Sequence, residues 1–341
     1  MSVKFCVLGS GSQGNAVLLM TPQLHVLIDA GFTPEEMSKR LDGTGAAWPT
    51  LHAIILTHTH ADHLSKKCLV YCAEHDIPFI CHERHAAHLA GGRYFKRLAA
   101  KELVLTYNGT SFQLQATGGR RAQFARFGRG EELAAPEGLD VLRFHPIPLP
   151  HDAPPTFGFR IEARGPEIGV HGPSVPVTLA EETLPYAARS EVASAAAEEW
   201  VRLGYLVDIG RSSDEIMQEV HDVDLLALEF NHDERLERNS GRHPKLIQRV
   251  MGGEGHLSNR HAADVFRKVV ETAPHGGPEV LVQMHLSEDC NRADLAYQAA
   301  QEILLMTGAK TKVYSTRQNQ RGTIHAVGRR RGRLAIEVPR S

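Results

Sequence analysis

Four side chains that can bind a metal ion follow directly on a short apolar run. The run spans residues 53–56, and the side chains are those of His58, His60, Asp62 and His63. In an extended segment residues i and i+2 point the same way, so His58 and His60 can direct two imidazoles at one point. Three imidazoles and one carboxylate suit a borderline cation such as zinc or manganese. A loop that merely happens to be rich in histidine is the alternative, because the chain contains 20 His.

The pattern His-x-His-x-Asp-His after an apolar strand resembles the signature of the metallo-β-lactamase superfamily. The resemblance implies an αββα sandwich, a four-layer fold of the α/β (or α+β) class. In it two mixed sheets pack face to face, and helices cover both outer faces. It also implies three further metal ligands in a set order: a lone His after a strand, an Asp after another strand, and a late His. His151, Asp208 and His285 occupy those places, each at the end of an apolar run or just after it.

By the family's pattern, two divalent ions, Zn or Mn, share these ligands. His58, His60 and His151 would hold one ion, and Asp62, His63 and His285 the other. Asp208 would bridge the two ions, because a carboxylate has two oxygens to offer. Such a pair can share a hydroxide as nucleophile, lower its pKa, and clamp both the attacked phosphorus and the leaving oxygen. Lactams, thioesters and phosphodiesters are all hydrolysed in this way, so the ligands do not select the substrate.

A glutamate and a histidine downstream bear on the substrate. Departure of an alkoxide from phosphorus benefits from a proton donor, and a histidine kept cationic by a carboxylate suits that role. Residues 255–259 resemble the corresponding stretch in the superfamily's phosphodiesterases and nucleases, tRNase Z included, where such a His pairs with an upstream Glu. The predicted catalytic residues are therefore Asp62, His256 and Glu229. A purely structural pair is the alternative, and His232 could replace His256.

Two segments are predicted to bind phosphate. The Gly/Ser-rich loop 9–15 frees N–H groups and hydroxyls that suit an anion, although a hairpin turn without a ligand is the alternative. Its string Ser-Gly-Ser-x-Gly-Asn resembles the N-terminal signature of the YycJ/WalJ-like branch of the superfamily. The helix start after His256 also presents N–H groups. The predicted phosphate-binding residues are Ser10, Ser12, Asn15, Ser258 and Asn259.

Length and composition describe an ordinary globular protein. A chain of 341 residues suggests two domains, yet ligands from 58 to 285 must converge, so we predict one domain over 1–341. Insertions are predicted at 116–135 and 164–200, with C-terminal strands and an Arg-rich segment at 312–341. A net charge of −2 excludes a uniformly basic nucleic-acid binder but leaves a local basic groove open. The Arg- and Phe-containing stretch 118–130 could be such a groove or a solvated loop.

Cysteine usage and the absence of long apolar segments indicate a cytoplasmic protein. The five cysteines are scattered and odd in number, so they suggest no disulfide framework. We find neither an export signal nor an apolar stretch long enough for a membrane helix. This location weighs against an antibiotic-degrading lactamase.

Three local expectations concern structure alone. Residues 102–107 and 111–115 are predicted to pair across Asn108-Gly109, a hairpin signal. Residues 190–203 read as a helix. His82, His85 and His88 are expected on the surface of a short helix, because no carboxylate or cysteine completes a metal set with them.

The combined pattern predicts a dinuclear phosphodiester hydrolase. Its resemblance to the YycJ/WalJ-like proteins, over most of residues 3–300, implies a 5′ to 3′ exonuclease on double-stranded DNA. An RNase is an alternative, as is a small-molecule phosphodiesterase acting on a cyclic or nucleotide substrate, which the near-neutral charge favours. A non-enzymatic metal centre is disfavoured, since structural sites are closed by four ligands. Only about 75 residues separate Asp208 from His285, which leaves no room for a β-CASP domain and argues against RNase J-like nucleases.

Overall fold

Alternating and continuous apolar runs form two mixed sheets in the computed structural model, which describes residues 2–128, 131, 133, 135–164, 200–330 and 333–334. The strands of the first sheet are β1 Ser2–Gly9, β2 Ala16–Met20, β3 His25–Ile28, β4 Ala53–Ile55, β5 Phe79–His82, β6 Val104–Tyr107, β15 Ile324–Arg330 and β16 Arg333–Leu334. Those of the second are β7 Ser111–Gln115, β8 Gln123–Phe127, β9 Val141–Leu149, β10 Thr156–Arg164, β11 Val201–Leu206, β12 Leu225–Glu229, β13 Val280–Met284 and β14 Lys312–Ser315.

The order of the strands groups the parallel segments at one side of each sheet, where β6 and β14 are the edge strands. The first sheet runs β16-β15-β1-β2-β3-β4-β5-β6, and the second runs β14-β13-β12-β11-β10-β9-β7-β8. Strands β3 to β6 are parallel, and so are β11 to β14. Because parallel strands end at the same edge of a sheet, the loops after β4, β11, β12 and β13 can combine their side chains into one site.

Helices cover both outer faces. They are α1 Pro34–Leu41, α2 Cys68–Glu74, α3 Glu83–Leu89, α4 Arg93–Ala99, α5 Asp214–Val220, α6 Glu234–Arg238, α7 Pro244–Val250, α8 Asn259–Thr272 and α9 Ala293–Thr307. Helices α1 to α4 pack apolar side chains on the first sheet, and α5, α8 and α9 pack on the second. The predicted four-layer αββα sandwich is confirmed. All five cysteines are buried and unpaired.

Three local expectations are wrong. Strands β6 and β7 belong to different sheets, so Asn108-Gly109 turns the chain from one sheet to the other and forms no hairpin. The cause is burial, because Tyr107 and Phe112 stack at 5.0 Å between ring centroids inside the core between the sheets. Val201 and Leu203 lie in β11, because both side chains enter the same core. The rest of the predicted helix, 190–199, lies outside the described residues.

His82 and His85 are also buried, contrary to expectation, at 8% and 2% exposure, whereas His88 is exposed as expected. The ring of His85 lies 2.7 Å from the carbonyl oxygen of Pro155, and both histidine rings contact Phe157. The predicted insertion at 116–135 contains β8, the edge strand of the second sheet. Of the other predicted insertion, 164–200, the structure describes only Arg164 and Trp200. Among the described residues, every helix is too short or too polar to cross a membrane.

Candidate metal centre

The seven predicted metal ligands converge at the edge where the parallel strands end. His58, His60, Asp62 and His63 follow β4, His151 follows β9, Asp208 follows β11 and His285 follows β13. Donor atoms of His58, His60 and His151 lie within 4.8 Å of one another, as do those of Asp62, His63 and His285. Asp208 forms a further group of this kind with His58 and His63. The two triads are those expected for two ions, with Asp208 between them.

Unsatisfied ring nitrogens show that this cluster fits a cation. The Nε2 atoms of His58, His151 and His285 are buried and have no hydrogen-bond partner within the described part of the chain. A buried polar atom without a partner costs about 1–3 kcal/mol, so three in one place are unfavourable unless a ligand satisfies them. Lone pairs of imidazole nitrogens bind a divalent cation, and that donor chemistry is the one that the family's metals require.

The opposite nitrogen of each of these rings is held by the protein. His285 Nδ1 lies 2.7 Å from Glu229 Oε1, His151 Nδ1 lies 3.2 Å from the carbonyl oxygen of Gly255, and His58 Nδ1 lies 3.1 Å from Thr57 Oγ1. Metal-binding histidines are commonly oriented in this way, because a partner on one nitrogen directs the lone pair of the other toward the metal.

Asp29 plays the same part for His63, and sequence analysis missed it. Its Oδ2 lies 2.7 Å from His63 Nδ1, and its carboxylate also accepts hydrogen bonds from the backbone and hydroxyl of Thr57. The available signal was its position, since Asp29 follows β3 directly and Ile28 pairs with Ile55 of the parallel strand that leads to the metal motif. Asp152, next to His151, was also missed, and its Oδ1 lies 3.3 Å from His151 Nε2.

Three residues of the centre have left-handed backbone conformations. The φ angles of Asp29, Asp208 and His285 are 62°, 59° and 55°. Residues other than glycine seldom adopt this region, and such strain gathers at functional sites where the surrounding structure enforces it. Asp29 and His285 directly follow a strand and Asp208 comes two residues after one, where the chain turns sharply to bring the side chain into the cluster.

Burial and neighbouring charges adjust the protonation of the cluster. Burial lowers the pKa of His58 well below its ordinary value, which keeps the ring neutral and able to bind a metal. Burial opposes ionisation of Asp208, but the adjacent His285 and His63 outweigh it and hold the pKa of that carboxyl well below its ordinary value. A neutral imidazole and a charged carboxylate are the forms that coordinate cations. Burial opposes the charge on His63, but Asp208 and Asp29 outweigh it and raise the pKa of the ring well above its ordinary value, so His63 has to release a proton when a metal binds.

Glu229 and His256 form the predicted pair inside the cluster. Glu229 is fully buried, and its Oε1 lies 2.9 Å from His256 Nδ1, while its Oε2 accepts the N–H groups of Ile209 and Leu257. Burial opposes the charge on His256, but Glu229 outweighs it and raises the pKa of the ring to about 9. The same Oε1 contacts His285, so Glu229 serves a predicted metal ligand and the predicted acid together. His232, the alternative to His256, lies buried beside Ser258, whereas the hydrogen bond to Glu229 comes from His256.

Most of the predicted phosphate-binding side chains have partners within the protein. Ser10 Oγ accepts the backbone N–H of His285, and Asn15 Nδ2 donates to Asp62 Oδ2 at 3.3 Å. Ser258 caps α8 by accepting the N–H of His261, and Asn259 exchanges amide hydrogen bonds with Asn291. Ser12 is exposed. Phosphate binding by these residues stays a prediction, and the hydrogen bonds of Ser10 and Asn15 indicate that both also position metal ligands.

A family model described as a β-lactamase superfamily domain matches residues 25–197. The match covers half of the chain, and the chain therefore belongs to this superfamily, as a hydrolase of the metallo-β-lactamase fold that uses a divalent metal. The chain is similar to exodeoxyribonuclease WalJ of Streptococcus pneumoniae serotype 2 (strain D39 / NCTC 7466), with 23% identity over 319 residues. That alignment covers 92% of this chain and 94% of WalJ, which confirms the predicted resemblance.

Solved structures support the same fold. The metallo-β-lactamase fold protein YhfI from Bacillus subtilis superposes with a TM-score of 0.55 and 14% identity, covering 94% of this chain and 99% of YhfI. A diphosphatase from the PhnP family superposes with a TM-score of 0.51 and 14% identity, covering 94% and 96% of the two chains. At these identities the likeness concerns the fold alone.

Proposed function

We propose that this protein is a phosphodiester hydrolase with two divalent ions, and that it acts as a 5′ to 3′ exonuclease on double-stranded DNA. The observation that carries the proposal is the Glu229–His256 hydrogen bond beside the predicted ligands Asp208 and His285. This chain is similar along nearly its whole length to a protein named an exodeoxyribonuclease, and that similarity supports DNA as the substrate.

The proposed ligands divide as the two triads do. His58, His60 and His151 would hold one ion, Asp62, His63 and His285 would hold the other, and Asp208 has two carboxylate oxygens to offer to both. Two such ions, whether zinc or manganese, would supply Lewis acidity and an activated water at neutral pH. Asp62 is directed by Asn15, and His63 by Asp29, so both keep their orientation as the substrate binds.

His256 provides the proton that the leaving group needs. Its Nδ1–H donates to Glu229, which leaves Nε2–H as the proton to transfer. With a pKa of about 9, the ring is cationic at neutral pH. When the P–O bond to the 3′ oxygen breaks, its electron pair goes to that oxygen, which takes the proton from His256 Nε2.

The test compares two substrates whose leaving groups differ. A 5′-labelled blunt DNA duplex has a poor alkoxide leaving group, whereas bis(p-nitrophenyl) phosphate has a good phenolate that departs without a proton. We expect His256→Gln to lower kcat on DNA by about 10²–10⁴-fold and on the small ester by much less. Asp62→Ala is expected to abolish both activities, because it removes a metal ligand.

Equal losses on the two substrates in His256→Gln would contradict an acid role and leave His256 as a structural residue. Release of label only from RNA would replace DNA with RNA as the substrate. If the protein cleaves the small ester but neither DNA nor RNA, the result would favour a small-molecule phosphodiesterase. The near-neutral net charge of −2 supports that alternative.

A further inference from the structure

We propose that Arg249 binds the phosphate next to the scissile phosphate, and that Asp152 positions it; this inference rests on the proposed function. Arg249 lies in the last turn of α7, and its Nε donates to Asp152 Oδ2. Neither residue belongs to the predicted metal or catalytic set. The proposal makes the substrate a polynucleotide with at least two consecutive phosphates.

Asp152 lies between the metal ligands and Arg249. Its Oδ1 is 3.3 Å from His151 Nε2 and 3.9 Å from His60 Nε2, and this oxygen is buried without a hydrogen-bond partner in the described structure. Its other oxygen faces Arg249. The carboxylate of Asp152 therefore separates the guanidinium of Arg249 from the ligand cluster. At this distance from the cluster, Arg249 is better placed for the phosphate next to the scissile one than for the scissile phosphate itself.

Within the described part of the chain, Arg249 has donors to spare beside the ligand cluster. Its side chain is 56% exposed, and the hydrogen bond to Asp152 uses only Nε. Asp152, which also approaches His151 and His60, holds the guanidinium beside the ligand cluster. A guanidinium has five donors in a planar fork, so Arg249 can keep Asp152 and still offer two parallel N–H groups to a phosphate.

The backbone holds Arg249 in a fixed relation to the predicted acid. Residues 250–256 form a tight turn in which the His256 N–H donates to the carbonyl of Val250 at 2.9 Å. At Gly255 this turn leaves no room for a side chain, because a Cβ there would lie 2.1 Å from the carbonyl oxygen of Arg249. The carbonyl of Gly255 in turn holds His151. One rigid segment thus sets the positions of Arg249, a metal ligand and His256, which lowers the cost of ordering them on binding.

The test compares Arg249→Ala with Arg97→Ala. Arg97 is a matched control, because its side chain is 53% exposed, pairs with a carboxylate, Glu74, and lies on α4 beside the other sheet. We expect Arg249→Ala to raise KM for duplex DNA about tenfold with little change in kcat, and to change KM for bis(p-nitrophenyl) phosphate far less. Arg97→Ala should leave all of these values close to those of the wild type.

A second readout needs no activity. Binding of the metal-loaded protein to fluorescent DNA with cleavage-resistant phosphorothioate linkages is measured by anisotropy at several salt concentrations. The logarithm of the binding constant decreases linearly with the logarithm of the salt concentration. We expect the magnitude of this slope to decrease by about one in Arg249→Ala and to stay unchanged in Arg249→Lys, because one phosphate contact accounts for about one released counterion.

Three outcomes separate this inference from the proposed function. If the wild type digests DNA while Arg249→Ala matches Arg97→Ala in KM and salt slope, Arg249 binds no phosphate and the inference is wrong. Equal losses on DNA and on the small ester would also overturn it, because Arg249 would then act at the scissile phosphate. A wild type that releases nothing from DNA overturns the proposed function, and the anisotropy comparison still decides whether Arg249 binds DNA.

Discussion

Replacement of Gly31 by alanine tests whether the metal motif depends on close backbone packing. Gly31 lies between Asn15 and the metal loop, and its N–H donates to the Asn15 carbonyl at 3.0 Å. The Asn15 N–H donates in turn to the Asp62 carbonyl at 2.7 Å. A Cβ on Gly31 would lie 1.8 Å from the Asp62 carbonyl oxygen and 2.8 Å from the Asn15 nitrogen.

The size of the effect follows from these distances. Real Cβ contacts essentially never fall below 3.0 Å, and the atoms in the way here are backbone. The Asp62 peptide must therefore retreat by about 1 Å, and a shift of that size at a reacting centre costs about 10²-fold in rate. Overpacking costs a further ~1–3 kcal/mol of stability. We expect Gly31→Ala to bind metal more weakly and to lose about 10²-fold in kcat.

The assay measures metal affinity by chelator competition, kcat on bis(p-nitrophenyl) phosphate, and folding by circular dichroism. Gly91→Ala is the control, because a Cβ at Gly91 meets nothing within 4 Å and the residue is outside the left-handed region. If Gly31→Ala binds metal and turns over like Gly91→Ala, the metal loop tolerates this displacement and the reasoning is refuted. A variant that folds and still loses metal supports it.

Three further predictions concern the supporting residues. Asp29→Asn should weaken metal binding by about 10–100-fold in chelator competition, because His63 loses the carboxylate that orients it, whereas unchanged affinity would exclude that role. Burial opposes ionisation of Glu162, but His145 and Arg160 outweigh it and lower its pKa from 4.5 to about 2. Its ionised form therefore stabilises the fold above about pH 4.5, and this contribution is lost as the pH falls toward 2. The Tm difference between wild type and Glu162→Gln should accordingly shrink over that range, and a constant difference would refute the assignment. Removal of the metal by a chelator should lower the Tm of the wild type, because the buried ring nitrogens of the cluster then lose the ligand that satisfies them. A Tm that does not change with chelator would contradict the metal centre.

Local chemistry explains how far the sequence alone could lead. The apolar run before His58 and the alternation of polar residues after it act over a few residues, and the structure has the strand that they indicate. Glu229 and His256 were also paired from the sequence, through a resemblance to a known pattern, and the structure has their hydrogen bond.

The sequence by itself determined the residue types of the predicted metal centre, because the spacing of His58, His60, Asp62 and His63 is a local property of the chain, and through the resemblance that this motif carries it also indicated the fold class. Only the tertiary structure decided which distant residues support them. Asp29 reaches His63 through parallel pairing of β3 with β4, and Asn108-Gly109 turns the chain between sheets because Tyr107 and Phe112 are buried together. Arg249 meets Asp152 across 97 positions of sequence. Contacts of this kind depend on how whole sheets pack, and no pattern within a short window encodes them.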